Sequence, residues 1–93
     1  MEEKAKKIAA LLKMLANEHR LLILCALVDG PLAVGKIHDF TPNITASALS
    51  QHLAQLKTAG ILDSDKRGMN VVYRIKEESV IELMDFLKEH YCK

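Results

Sequence analysis

Apolar residues fall at helical spacing near both ends of the chain. Ile8, Leu11, Leu12 and Leu15 recur at i, i+3, i+4 and i+7, which predicts an amphipathic helix over residues 2–15 with Lys4, Lys6, Lys7 and Lys13 around the stripe. Val80, Ile81, Leu83, Met84, Leu87 and Tyr91 predict a last helix from about Glu77 to Tyr91. Between them, Glu18 to Val28 is apolar nearly all round and reads as a central buried helix, with Asn17 as its N-cap and Asp29-Gly30-Pro31 as its stop. Val34 to Thr41 reads as a short third helix ended by Thr41-Pro42-Asn43. Thr45 can cap a fourth helix running to Thr58, with Gly60 closing it. The period then changes: Ile61 to Arg67 and Asn70 to Ile75 are strand-like, and Gly68 sits in the short connection of a β-hairpin.

Four helices, a hairpin and a helix make a mainly α fold in the order of a winged helix-turn-helix. Residues 1–93 are expected to form a single DNA-binding domain of that type. A chain this short buries a modest fraction of its surface, so dimerisation is a natural way to enlarge the core. The longest apolar run, Leu21 to Val28, is too short to span a bilayer, and Met1-Glu2-Glu3-Lys4 is no signal peptide. A cytoplasmic location without membrane contact is the expectation.

The fourth helix carries the most informative surface. Leu49, Leu53 and Leu56 form one stripe facing the core; Ser47, Ser50, Gln51 and Ala54 form the opposite one. That outward stripe is short, polar and nearly uncharged, where an ordinary solvated face carries Lys and Glu. Small side chains permit close approach to a major groove, and Ser and Gln can bond base edges or phosphates. Gln55 and Lys57 lie on the two flanks, Lys57 suited to a phosphate. His52 falls between the faces, nearer the apolar one, and reads more readily as a partly buried structural histidine than as a base reader. The hairpin tip, Lys66-Arg67-Gly68-Met69-Asn70, places two cations where a wing meets the phosphate backbone. The candidate DNA contacts are therefore Thr45, Ser47, Ser50, Gln51, Gln55, Lys57, Lys66 and Arg67.

Net charge adds little, since +1 is low for a nucleic-acid binder. Its distribution fits better: residues 45–75 carry four basic and two acidic side chains, whereas residues 76–93 carry three and five. A mildly positive middle with an acidic end suits one nucleic-acid face.

Over nearly its whole length the sequence resembles the ArsR/SmtB family of bacterial winged-helix repressors. Leu15-Ala-Asn-Glu-His-Arg-Leu-Leu-Ile-Leu24 is similar to the family's second-helix signature. Ala48-Leu-Ser-Gln-His-Leu-Ala-Gln-Leu-Lys-Thr-Ala-Gly-Ile-Leu62 is similar to its recognition helix and first wing strand, and Val72-Tyr-Arg-Ile75 to its second. The resemblance implies a homodimer packed through its first and last helices, an inverted-repeat operator in double-stranded DNA, and repression relieved by an inducer. Two features depart from the pattern. The turn Thr41-Pro-Asn-Ile-Thr45 is about one residue longer than usual and lacks the usual Gly, and Ala46 stands where many relatives carry a polar residue.

The sensing chemistry is narrowed by what is missing. Leu32 to Phe40 has no cysteine, and Glu82, Asp85, Glu89 and His90 do not repeat the family's last-helix metal pattern, so no metal site or cofactor is expected. Cys25 and Cys92 remain. Their placement resembles the persulfide- and redox-responsive branch, which implies that reactive sulfur species or oxidants link the two thiols and lower DNA affinity. Two alternatives stay open. One is a metal- or metalloid-sensing repressor using Cys25, Cys92 and a histidine such as His19 or His90; the other is a winged-helix interaction module with no DNA role. No activated nucleophile, cofactor loop or acid/base constellation of an enzyme is legible.

Overall fold

A computed structural model describes residues 1–91 of the chain. The elements run α1 (Glu2–Leu15), α2 (Glu18–Leu27), β1 (Leu32–Ala33), α3 (Val34–Asp39), α4 (Ala46–Thr58), β2 (Leu62–Arg67), β3 (Asn70–Ile75) and α5 (Glu78–Tyr91). This is the expected winged helix-turn-helix with two differences. Leu32 and Ala33 form a third strand, paired antiparallel to β3 with Leu32 opposite Tyr73 and Ala33 opposite Val72, so the wing is a three-stranded sheet in the order β1-β3-β2. The third helix is also shorter than expected, stopping at Asp39.

Local chemistry accounts for the boundaries. Asn17 accepts from the backbone N–H groups of His19 (3.0 Å) and Arg20 (3.2 Å), capping α2. Thr45 Oγ1 accepts from Ala48 N–H at 3.0 Å and does the same for α4. At the other end of α4, Gly60 has φ +80°; its N–H reaches Lys57 O and that of Ile61 reaches Leu56 O. This is a Schellman ending, which needs a residue tolerant of positive φ. In the wing, Arg67 pairs with Asn70 and leaves Gly68-Met69 as a two-residue loop. Positive φ at Gly68 alone matches a type II′ turn, whose twist suits the strands it joins.

The core gathers Ile23, Leu24 and Leu27 of α2, Leu49, Leu53 and Leu56 of α4, and Val80 and Met84 of α5, with Ile37 and Leu62 beside them. Helix α4 therefore enters the common core through three leucines. By contrast, residues 1–10 are all exposed, and Leu15 is the buried residue of α1. Ile8 is 56% and Leu12 51% exposed, and Phe86 of α5 is 56% exposed. Leu12, Leu15, Leu21, Leu83 and Leu87 line an open apolar groove of about 380 Å³ where α1, α2 and α5 meet.

Candidate nucleic-acid interface

The residues expected to meet DNA are all exposed: Thr45, Ser47, Ser50, Gln51, Gln55 and Lys57 on α4 or its cap, and Lys66 and Arg67 at the end of β2. The first six lie along one element, and the two cations lie apart from them at the tip of the wing, beside Met69, which is 97% exposed. Several of these side chains already have structural work. The Thr45 hydroxyl accepts from α4, although its own proton is left to donate outward. Lys57 Nζ donates to Ser64 Oγ at 2.7 Å, tying the flank of the reading helix to the first wing strand.

The wing is stiffened by a cross-strand pair. Asp63 and Arg74 are register partners, and Arg74 Nη2 donates to Asp63 Oδ2 at 2.8 Å. The Ser64 backbone N–H, bonded to Asp63 Oδ1 at 2.9 Å, holds that carboxyl below its usual range, helped by the charges of Arg74, Lys76 and Lys57.

Sequence reading missed Arg20. Its guanidinium reaches α4 from the start of α2. Nε donates to His52 Nδ1 at 3.1 Å and Nη2 donates to Gln55 Oε1, while Nη1 reaches Met14 O at 3.1 Å and Met14 Sδ at 2.8 Å. A signal was present: Arg20 shares the helical stripe of Ile23, Leu24 and Leu27, so a cation stands in register with buried leucines. His52 is half-buried and has a structural partner, as its position between the two faces suggested. Burial, then the charges of Arg20 and His19, lower its pKa from 6.5, and the neutral ring that results can accept from Arg20.

Cys25 lies half-buried on α2 and packs against the core. Cys92, the other residue of the expected pair, lies outside the described residues. Among the described residues there is no cluster of three His, Cys, Asp or Glu side chains able to hold a metal. His19 lies 3.8 Å from Glu18, and His90 bonds the Phe86 carbonyl at 2.9 Å on its own helix.

Comparison with known proteins decides the family. The description "Bacterial regulatory protein, arsR family" matches residues 17–64, from the cap of α2 into the first wing strand. The chain belongs to the arsR family. The transcriptional activator HlyU of Vibrio cholerae serotype O1 is 39% identical over 93 residues, covering 100% of this chain and 85% of the relative. The solved structure of reduced HlyU from that species has a TM-score of 0.92, over 100% of this chain and 97% of that one. YgaV of Escherichia coli strain K12, an HTH-type transcriptional regulator, is 39% identical over 99% of this chain and 93% of its own. The structure of the transcriptional repressor BigR from Xylella fastidiosa has a TM-score of 0.89 at 32% identity, over 100% of this chain and 94% of that one. This arsR-family chain is thus a DNA-binding transcriptional regulator, and its relatives are regulators, not enzymes. Among the described residues no helix is long and apolar enough to cross a membrane.

Proposed function

We propose that this chain is a cytoplasmic homodimeric repressor that binds an inverted-repeat operator and leaves it when reactive sulfur species or oxidants link Cys25 to Cys92. The DNA-binding part is carried by one observation. The outward stripe of α4 is exposed, polar and uncharged, beside a wing whose tip holds Lys66 and Arg67. The exposed Ile8, Leu12 and Phe86 support pairing through α1 and α5, since such a band is costly to leave in water. Repression is the activity named for BigR, and a reduced form is named for HlyU.

The switch uses ordinary thiol chemistry. One cysteine thiolate attacks the outer sulfur of glutathione persulfide, releasing glutathione and leaving a protein persulfide. The second thiolate then attacks the protein-bound sulfur and expels hydrosulfide. Two thiols and one persulfide give a disulfide, glutathione and hydrogen sulfide. Lys88 Nζ lies 3.6 Å from Asp29 Oδ2, so α5 lies against the end of α2, four residues beyond Cys25. A link from Cys25 to Cys92, the residue after α5 in the sequence, would tie the central helix to a helix proposed to pair the protomers. Changing the angle between half-sites weakens their simultaneous engagement.

The test pairs intact mass with DNA binding, before and after glutathione persulfide. Loss of two hydrogens, with or without added sulfur, together with weaker binding is the expected result. Cys25→Ser and Cys92→Ser are expected to bind DNA and ignore the inducer. Serine variants that still leave DNA on treatment would overturn the cysteine switch.

A further inference from the structure

The Arg20 contacts have a consequence for what the reading helix can recognise. The guanidinium is anchored behind α4: Nη1 bonds the carbonyl of Met14, in the last turn of α1, where helix carbonyls lack partners within the helix and a cation is favourable. From there the planar group bridges His52 and Gln55, which stand one turn apart on the same flank of α4. A lysine ammonium on a flexible stem cannot hold two residues at that spacing with fixed geometry.

Arginine has donors and no acceptor. The Gln55 atom facing it must therefore be the carbonyl oxygen, and the amide nitrogen is turned away. For the same reason His52 accepts at Nδ1 and carries its proton on Nε2. A glutamine free to present both ends pairs with adenine by accepting from N6 and donating to N7. Gln55 has its accepting end drawn back toward α2.

We infer that Arg20 is a positioning residue for DNA reading: it takes the carbonyl oxygen of Gln55, so that Gln55 meets DNA as a hydrogen-bond donor and contacts an acceptor, either a base acceptor in the major groove or a phosphate oxygen. The inference rests on the DNA-binding reading above. Arg20 itself touches no DNA. Its role is to choose which end of Gln55 does, and, through Met14, to hold that choice to the end of α1.

The experiment uses the reduced full chain and duplexes selected from a random library, with wild type, Arg20→Lys, Gln55→Ala and the double variant, each also melted thermally. Gln55→Ala is expected to weaken binding about tenfold in the wild-type background. On the duplex that wild type selects, the same change in the Arg20→Lys background costs less than threefold, because Gln55 is no longer held as a donor. If the acceptor is a base, Gln55→Ala relaxes one position per half-site and Arg20→Lys moves that position toward adenine. If it is a phosphate, affinity falls equally on all sequences. Independent effects, with Gln55→Ala equally costly in both backgrounds, would overturn the inference while leaving the DNA reading intact. Arg20→Ala, if its melting shows a folded protein, must follow Arg20→Lys; a variant that binds as wild type overturns the role. A wild-type chain that selects no duplex overturns the DNA reading and this inference together.

Discussion

Helices α1 and α4 begin from the same kind of pattern, an apolar stripe at helical spacing with polar residues around it, and the fold treats them in opposite ways. In α4 all three stripe leucines are buried, both ends are capped, and its flanks are tied to Arg20 and Ser64. In α1 the stripe stays in water at Ile8 and Leu12, and the N-terminus has no side-chain cap. An amphipathic stripe therefore says that a helix will be covered, and not by what. For α4 the cover is the chain's own core. For α1 the exposed residues fit a second copy, in agreement with the proposed dimer.

The comparison breaks most visibly at the core. Leu53→Ala empties space beneath the reading helix and is expected to lower the unfolding free energy by about 2–5 kcal/mol, read by denaturant unfolding. Leu12→Glu, on the exposed stripe, is expected to leave the protomer folded and raise the dimer dissociation constant by about tenfold or more, read by sedimentation. If Leu12→Glu unfolds the chain, or leaves association unchanged, the stripe does not serve a partner. The caps give a smaller contrast. Thr45→Ala removes the hydroxyl that holds Ala48 N–H and is expected to cost about 1 kcal/mol in thermal or chemical unfolding. A serine at position 45 should restore most of that loss.

The smallest effect is set by pH at the joint between the two regions. Protonated His52 carries N–H on both ring nitrogens and cannot accept from Arg20. Its folded pKa lies below the ordinary 6.5, so as pH falls the unfolded chain takes up this proton first. The contribution is present in full above about pH 6.5 and is lost as pH falls through the lowered value. Wild type should therefore lose stability relative to His52→Asn across that window, as followed by urea unfolding at stepped pH. A constant difference would place His52 outside the linkage.

Much of the fold was legible beforehand because its signals are local. The 3.6-residue period, Asn17 and Thr45 before helices, Gly60 after one and Gly68 in the hairpin turn each act within a few residues. Strand β1 was not legible. Two residues are too short to show alternation, and Leu32 and Ala33 become a strand only because β3 offers them an edge. The candidate DNA face was legible for a related reason: one helix wheel separates Ser47, Ser50 and Gln51 from Leu49, Leu53 and Leu56, and the structure exposes the first set and buries the second.

Sequence by itself determined the order of the five helices and the hairpin, the buried and outward faces of α4 and the placement of both cysteines along the chain, since these follow from spacing and residue type. Only the tertiary structure decided that Arg20, half-buried at the start of an apolar helix, would bond Met14, His52 and Gln55 across a separation of up to 35 residues. A hydrogen bond depends on where atoms stand in space. The cation and its acceptors lie on different helices, and no pattern within one helix records how far its neighbour has turned.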